Sequence, residues 1–200
     1  GLALVGGAEA NDPIGASTVG TGELLATAVD AGAKRLLVGL GGSATTDGGL
    51  GALRSLYPLH RLAGVEIVAL CDVRTPFVDA AELFAAQKGA SPAQVELLRR
   101  RLDRLADVYL ADHGVDVRAI AGAGAAGGLA GGLAVAGATL MSGFEAVADE
   151  LGLHDLIEGA AGLCVVQAQG RGDLRDRAQA GLLGQQQEVG VGRPLRSLDH

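Results

Sequence analysis

The sequence predicts an α/β fold in which a parallel sheet is flanked by helices. Two short, continuously apolar segments, residues 35–40 and 66–71, have the length and composition of parallel strands that are covered on both faces. A glycine-rich loop and a helical segment separate them, which is the strand–loop–helix–strand order of a parallel crossover. With 200 residues and a hydrophobic content of 48%, most of the chain is expected to fold around a core.

The N-terminal third contains a predicted helix on either side of the first strand. The first helix spans residues 24–31, with Thr21 as its N-cap and Gly32 at its end. The glycine-rich loop, residues 41–49, leads from the strand into a second helix at residues 50–57, which ends at a proline. This order places the loop between the carboxyl end of a strand and the start of a helix.

The middle of the chain contains the longest predicted helix. A shorter helix at residues 80–88 stops at Gly89, and Ser91-Pro-Ala-Gln94 then has the N-cap, N1 and N3 residues of a strong helix start. The helix runs to about residue 112, and its arginines at 99–101 are interpreted as a solvated face, with an anion-binding patch as the alternative. Its apolar stripe contains Val95, Leu98, Leu102, Leu105 and Tyr109.

The C-terminal part of the chain changes in composition beyond residue 160. A Gly- and Ala-rich segment at residues 122–137 and a stretch at 144–151 have helical spacing of their apolar residues. Beyond residue 160 the chain holds six of its eight Gln, and its apolar periodicity fades. We therefore expect an incomplete α/β region at residues 1–160 and a divergent tail at 161–200 that is frame-shifted or poorly folded.

Composition and charge exclude several classes of partner. The formal net charge of −7 argues against binding to nucleic acid or an anionic membrane, and 2% aromatic residues with no Trp argue against base stacking. No apolar run has membrane-spanning length. Cys71 and Cys164 lie far apart and in no CxxC pair, which favours reduced thiols in a cytoplasmic protein.

The glycine-rich loop is the segment most suited to bind an anion. Its glycines let the backbone approach a ligand closely, and the start of the following helix adds partial positive charge. Ser43, Thr45 and Thr46 supply hydroxyl donors for phosphate or carboxylate, and Asp47 suits a bound cation or a proton-accepting role. The alternative is a tight strand–helix connection in which Asp47 is solvated.

Two standard phosphate motifs give different results on this loop. The Walker A pattern fails because no Lys follows the glycines. Gly39, Gly41 and Ala44 fit a GxGxxA dinucleotide fingerprint after a strand, with Asp72 as an acid farther along than is usual. A nicotinamide-dependent dehydrogenase is therefore an alternative interpretation.

Five segments in order give a more specific signal than any single motif. They are Ala16-Ser-Thr-Val-Gly-Thr-Gly-Glu23, Gly41-Gly-Ser-Ala-Thr-Thr-Asp-Gly-Gly49, Cys71-Asp-Val-Arg-Thr-Pro76, Phe84-Ala-Ala-Gln-Lys-Gly-Ala-Ser-Pro92 and Gly122-Ala-Gly-Ala-Ala-Gly-Gly128. Together they resemble the signature segments of the glycerate kinase type-I family, over about residues 12–158. For this chain the resemblance implies part of a two-domain α/β architecture, a site between the domains, and Mg²⁺-dependent transfer of the γ-phosphoryl group of ATP to a hydroxyl of D-glycerate.

The roles of the central residues follow from phosphoryl-transfer chemistry, in which a protein positions groups and stabilises charge. Gly41, Gly42 and Ser43 would cradle phosphates or the glycerate carboxylate. Asp47 and Asp72 both follow strands and so reach the carboxyl edge of the sheet, where α/β sites form. One would hold Mg²⁺, and the other would orient or deprotonate the acceptor hydroxyl.

Four further residues are candidates with a structural alternative each. Lys88 would neutralise phosphate charge or act as a helix C-terminal cation. Arg74 would bind the glycerate carboxylate or form a surface ion pair. Ser17 and Thr18 would line the same cleft or cap a helix.

The chain also departs from the family pattern at both ends. Family members are about twice as long and open with a strand and a D-S-F-K-G segment, which has no counterpart here. Residues 160–170 occupy the place of a T-G-E-G segment, whose acid is missing, as is a later Lys. A non-catalytic remnant or interaction module is therefore a third interpretation.

Overall fold

The computed structural model describes residues 1–152 of the chain. Three strands form a parallel sheet in the order β1-β2-β3: β1 is Arg35–Gly39, β2 is Glu66–Leu70 and β3 is Thr139–Met141. The predicted α/β class with a parallel sheet is confirmed. The tail at 161–200 lies outside the described residues, so the expected domain boundary stays a prediction.

Six α-helices and three 3₁₀ segments surround the sheet in the described part of the chain. The 3₁₀ segments are Leu2–Val5, Leu59–Leu62 and Ala86–Lys88. The helices are α1 (Val19–Asp30), α2 (Leu50–Leu56), α3 (Ala80–Phe84), α4 (Pro92–His113), α5 (Leu129–Val135) and α6 (Gly143–Glu150). Across residues 1–152, no helix combines the length and apolarity that crossing a membrane requires.

The two predicted strands differ in how they are covered. On β2, Ile67, Val68 and Ala69 are all buried, as a strand covered on both faces should be. On β1 burial alternates, and Leu37 is 46% exposed. The expectation that both faces of β1 are covered is therefore wrong for the described residues: Leu36 and Val38 pack into the core, whereas Leu37 on the opposite face is exposed.

The start of α1 also differs from the sequence prediction. The helix begins at Val19 with Thr18 as its N-cap, so the assignment of Thr21 is wrong. The Thr18 hydroxyl accepts a hydrogen bond from Ala52 N–H of α2 at 2.9 Å, and Thr18 is 3% exposed. The contact with α2, which sequence spacing does not reveal, fixes the residue at which α1 begins.

The prediction for α4 is confirmed in its start, length and charged face. Gln94 N–H donates to Ser91 Oγ at 3.4 Å, and Ser91 N–H donates to Gln94 Oε1 at 2.8 Å, which is a complete capping box. The arginines at 99 and 100 form ion pairs with Glu96 on the exposed face. The predicted apolar stripe packs into the core.

Helix α2 joins the two clusters that form the hydrophobic core. One cluster gathers Leu53 with residues of α4 and the segment after β2, and the other gathers Leu56 with residues of the sheet, α1 and α5. Both leucines are at most 2% exposed. Because α2 directly follows the glycine-rich loop, this double anchorage fixes the C-terminal end of the loop.

Candidate active site

The glycine-rich loop and the loop after β2 begin at the same edge of the sheet. Leu40 N–H donates to Leu70 C=O at 3.1 Å, and Cys71 N–H donates to Met141 C=O at 2.8 Å, so pairing continues to the strand ends. Parallel strands place their carboxyl ends together, which is where α/β proteins form sites. The topology therefore brings the two predicted loops to one edge.

A cavity of about 420 Å³, here called the loop cavity, lies between the glycine-rich loop and the start of α1. Ser17 and Thr18 line it opposite the loop residues Gly41, Ser43 and Thr45. Among the described residues, the backbone N–H groups from 41 to 47 find no hydrogen-bond acceptor. The loop therefore keeps donors available for an anionic ligand.

A second cavity of about 360 Å³, here called the lysine cavity, adjoins the first. Gly42, Ser43, Gln87 and Lys88 contribute to its lining. Ser43 also lines the loop cavity, as do Leu40 and Ala126. The phosphate-binding candidates at 41–45 are thus distributed over two adjoining cavities.

Lys88 is a buried cation next to the loop. Its Nζ donates to Thr45 C=O at 2.6 Å, and only 4% of the residue is exposed. Burial lowers the pKa of Lys88 to about 8, while the negative charge of Asp47 acts in the opposite direction. The interpretation of Lys88 as a mere helix-end cation does not account for its contact with the loop.

Asp47 is held by donors from two elements. Its Oδ2 accepts hydrogen bonds from Thr18 N–H at 2.8 Å, Thr18 Oγ1 at 2.8 Å, Ser17 Oγ at 3.3 Å and Gly51 N–H at 3.2 Å. Its Oδ1 accepts from Gly49 N–H at 3.2 Å. The carboxylate thus joins the wall formed by Ser17 and Thr18 to the start of α2.

Asp72 has a more open environment. It is exposed, and its Oδ1 accepts hydrogen bonds from Gly143 N–H at 2.9 Å and Ser142 Oγ at 3.4 Å. Within residues 1–152 its Oδ2 accepts no hydrogen bond. It lines another cavity of about 420 Å³ together with Arg74. In the described part of the chain, Arg74 forms no ion pair, so the surface-pair alternative has no support.

The structure does not bring all candidate residues into one cavity. Asp47 and Thr46 line an apolar cavity of about 430 Å³ against α4, and Thr46 is 2% exposed. Thr46 is therefore separated from the loop hydroxyls with which it was grouped. Asp72 and Arg74 line a cavity that contains neither residue.

The Gly- and Ala-rich segment at residues 122–137 packs against the glycine-rich loop. Gly48 N–H donates to Gly127 C=O at 3.0 Å, and a Cβ on Gly127, whose φ is +70°, would lie 2.0 Å from Thr45 O. Ala126 has a φ of 53° and lines both the loop cavity and the lysine cavity. This supporting role was not predicted from the sequence, although the glycine spacing was its signal.

The geometry does not fit a dinucleotide turn. In that turn the fingerprint glycines lead directly into a helix whose N-terminus meets the pyrophosphate. Here α2 begins at Leu50, six residues after Ala44. The dehydrogenase alternative therefore has no support.

The carboxylates differ in their fit to the implied Mg²⁺. No group of three or more His, Cys, Asp or Glu side chains in residues 1–152 could hold a metal ion by itself. Proteins commonly bind Mg²⁺ through one or two carboxylates together with substrate phosphates. Asp72 fits that arrangement, since it is exposed and its Oδ2 accepts no hydrogen bond from the described residues, whereas Asp47 already accepts five hydrogen bonds.

Comparison with known proteins gives the family. A sequence profile described as the glycerate kinase family matches residues 1–57 and 58–181. A glycerate kinase from Haemophilus influenzae is 35% identical over 199 residues, covering 84% of this chain and 52% of the relative. A glycerate 2-kinase from Escherichia coli strain K12 is 36% identical over 205 residues, covering 86% and 53%.

A solved structure agrees with these sequence matches. The crystal structure of a Salmonella typhimurium LT2 protein assigned as glycerate kinase 2 superposes with a TM-score of 0.69 at 36% identity. The alignment covers 75% of this chain and 49% of that one. The chain thus spans about half the length of the curated relatives that it matches. On the extent of the profile match and the identity to these relatives, the chain belongs to the glycerate kinase family.

Proposed function

We propose that this chain contributes the anion-binding part of an enzyme that transfers the γ-phosphoryl group of ATP to a hydroxyl of D-glycerate. The observation that supports the proposal is the loop cavity, which is lined by Ser17, Thr18 and loop residues whose backbone N–H groups have no acceptor among the described residues. Such donors stabilise phosphate oxygens and the charge that develops on them during transfer. Membership of the family supplies the substrate pair.

The loop and Lys88 would act together on the phosphates. Donors from Gly41, Gly42, Ser43 and Thr45 would bind phosphate oxygens, and the Lys88 charge beside the loop would favour the bound anion. Because Nζ is engaged with a loop carbonyl, Lys88 would act through the loop backbone as well as through its charge.

The loop after β2 would serve the acceptor side. Arg74, which has no ion-pair partner in the described part of the chain, is suited to bind the glycerate carboxylate with two parallel hydrogen bonds. Asp72 would be the protein ligand of Mg²⁺, which when bound neutralises charge on the transferring phosphates. Asp47 would orient Ser17 and Thr18, since its oxygens are already engaged with them.

An assay of ADP release in the presence of D-glycerate tests the activity. The complete protein should turn over, and the 200-residue chain should gain thermal stability with ATP but not with NADH. A ligand at 100 times its Kd adds about 2.7 kcal/mol to the free energy of unfolding. Absence of stabilisation by ATP in this chain would favour the non-catalytic interpretation. Stabilisation by NADH would instead favour the dehydrogenase interpretation. The cytoplasmic location stays a prediction.

A further inference from the structure

The carbonyl groups of the glycine-rich loop are bound by donors from two other segments. Leu2 N–H donates to Gly42 C=O at 2.7 Å, and Lys88 Nζ donates to Thr45 C=O at 2.6 Å. Between them, Asn11 Nδ2 donates to Ala44 C=O at 3.0 Å. Three loop carbonyls therefore have partners, whereas the loop N–H groups from 41 to 47 have none among the described residues.

Asn11 also connects these segments to each other. Its Nδ2 makes a second hydrogen bond, to Lys88 C=O at 2.8 Å, so one side-chain amide joins residues 33 and 77 positions away in the sequence. The backbone is close-packed at the same place, because a Cβ on Gly89 would lie 2.2 Å from Ala8 O. The N-terminal segment, the loop and the 3₁₀ turn that ends at Lys88 are thus held as a unit.

From these contacts we propose that Asn11 is a positioning residue that fixes the peptide between Ala44 and Thr45 for anion binding. A trans peptide is planar, and its C=O and N–H groups point in opposite directions. Holding the Ala44 carbonyl therefore also fixes the Thr45 N–H, in a loop whose glycines would otherwise allow several orientations. The inference rests on the proposed ATP-binding role of the loop.

The side-chain amide of Asn11 also affects the charge that the loop presents to a bound anion. An unpaired carbonyl that turned toward the cavity would present partial negative charge to a phosphate. Asn11 lines the loop cavity and binds the Ala44 carbonyl, which keeps that oxygen engaged. Asn11 thus favours a loop surface rich in donors without being required to touch the ligand itself.

Two substitutions of Asn11 and a neighbouring control test the proposal in the full chain. Asn11→Ala removes both hydrogen bonds, and Asn11→Asp replaces the donating nitrogen with an oxygen that faces two carbonyls. Asp12→Asn is the control, because Asp12 Oδ1 only accepts hydrogen bonds from Ile14 and Gly15 N–H in the adjacent turn. The measurements are ATP affinity by calorimetry, urea unfolding, and NMR resonances of the loop amides without ligand.

We expect both Asn11 variants to shift the amide resonances of residues 43–46 and to weaken ATP binding at least tenfold, while unfolding stays cooperative. Asp12→Asn should leave both measurements near those of the parent. Unchanged affinity or unchanged loop resonances in Asn11→Ala would overturn the positioning role, as would loss of cooperative folding in that variant, which would make Asn11 a residue of the fold alone.

The test separates this inference from the proposed function. If the parent chain itself does not bind ATP, the ATP-binding role of the loop fails. The resonances of residues 43–46 in the ligand-free variants then decide whether Asn11 fixes the loop peptides. A shift in Asn11→Ala that is absent in Asp12→Asn supports the positioning role, and equal spectra overturn it.

Discussion

At the scale of single residues, two aspartates that follow neighbouring strands have very different surroundings. Asp47 is half-buried and accepts five hydrogen bonds, whereas Asp72 is exposed and accepts two. Hydrogen bonds to a charged group contribute about 1.5–3 kcal/mol each when they are well formed. The same residue type is therefore a structural tie in one loop and an available carboxylate in the other.

This contrast predicts different results for the same substitution. Asp47→Asn should lower the free energy of unfolding by about 2–3 kcal/mol, because the amide nitrogen cannot accept at one of the two oxygen positions and the remaining hydrogen bonds lose their charged acceptor. It should also lower ADP release by orders of magnitude, through displacement of Ser17 and Thr18. Asp72→Asn should reduce turnover in the complete enzyme but lower the free energy of unfolding by less than about 1 kcal/mol. Equal stability of the two variants in urea would contradict the assignment.

The lowered pKa of Lys88 predicts that the stability of the fold depends on pH. Its pKa is about 8 in the folded chain and near 10.5 when unfolded, so between these values the unfolded state binds more protons. The free energy of unfolding should therefore rise with pH across this interval, by about 2 kcal/mol between pH 7 and 9.5. Below pH 8 the contribution is absent, because both states are then protonated.

Urea unfolding of the parent chain and Lys88→Met at pH 7 and 9.5 measures the Lys88 contribution. Cysteine and α-amino groups also titrate in this interval, but both proteins contain them, so the difference between the two pH slopes isolates Lys88. The free energy of unfolding of the variant should change less with pH than that of the parent, because the titrating amine is gone. Parallel slopes would show that Lys88 does not titrate differently on folding.

At the scale of elements, the glycine-rich loop depends on close backbone contact with the segment before α5. A Cβ atom added to Gly127 would lie 2.0 Å from Thr45 O. A Cβ atom added to Gly137, whose φ is +92°, would have no neighbouring atom within 4 Å. Both positions have positive φ, so a comparison of the two separates backbone conformation from crowding.

Gly127→Ala and Gly137→Ala should therefore differ in stability. Alanine at positive φ costs about 1–2 kcal/mol at either position. At Gly127 the clash with a carbonyl adds an overpacking cost of about 1–3 kcal/mol, and the loop should shift as well. Chemical denaturation gives the free energies, and similar losses in the two variants would mean that the segment yields easily.

At the scale of the whole molecule, α4 connects the core to the site. Leu102, on its buried stripe, is 1% exposed, and Tyr109 Oη donates to Gly48 C=O at 3.0 Å. A Cβ on Gly48 would lie 2.5 Å from Leu105 Cδ2. Helix α4 thus supports the C-terminal end of the glycine-rich loop through contacts at Gly48.

Leu102→Ala should destabilise the chain by about 2–5 kcal/mol, since it leaves a cavity in a close-packed core. Leu110→Ala on the same helix is the matched control: Leu110 is 47% exposed and its truncation should change stability by about 0.5 kcal/mol or less. Thermal or urea unfolding measures both. A loss at Leu110 as large as that at Leu102 would show that the exposed face of α4 is covered in solution.

The sequence predicted helices and strands well where they depend on interactions between residues that are near in sequence. The capping box at Ser91, the stripe of α4 and the apolar strand β2 were predicted because each depends on residues near in sequence. The N-cap of α1 was not predicted, because it depends on the contact of Thr18 with the distant Ala52. The exposure of Leu37 was not predicted either, because it depends on which elements cover β1 among the described residues. Strand β3 has three residues, too few to give a periodic signal.

The amino-acid sequence by itself determined the α/β class and the resemblance to the family, and it predicted the glycine-rich loop as an anion-binding segment. Only the tertiary structure decided which residues share a cavity, because contacts such as Asn11 with Lys88 join positions 77 residues apart. It also gave the carboxylates of Asp47 and Asp72 different environments, although both follow strands. The physical reason is that propensity and periodicity act over a few residues, whereas burial and hydrogen-bond partners are set by packing between elements.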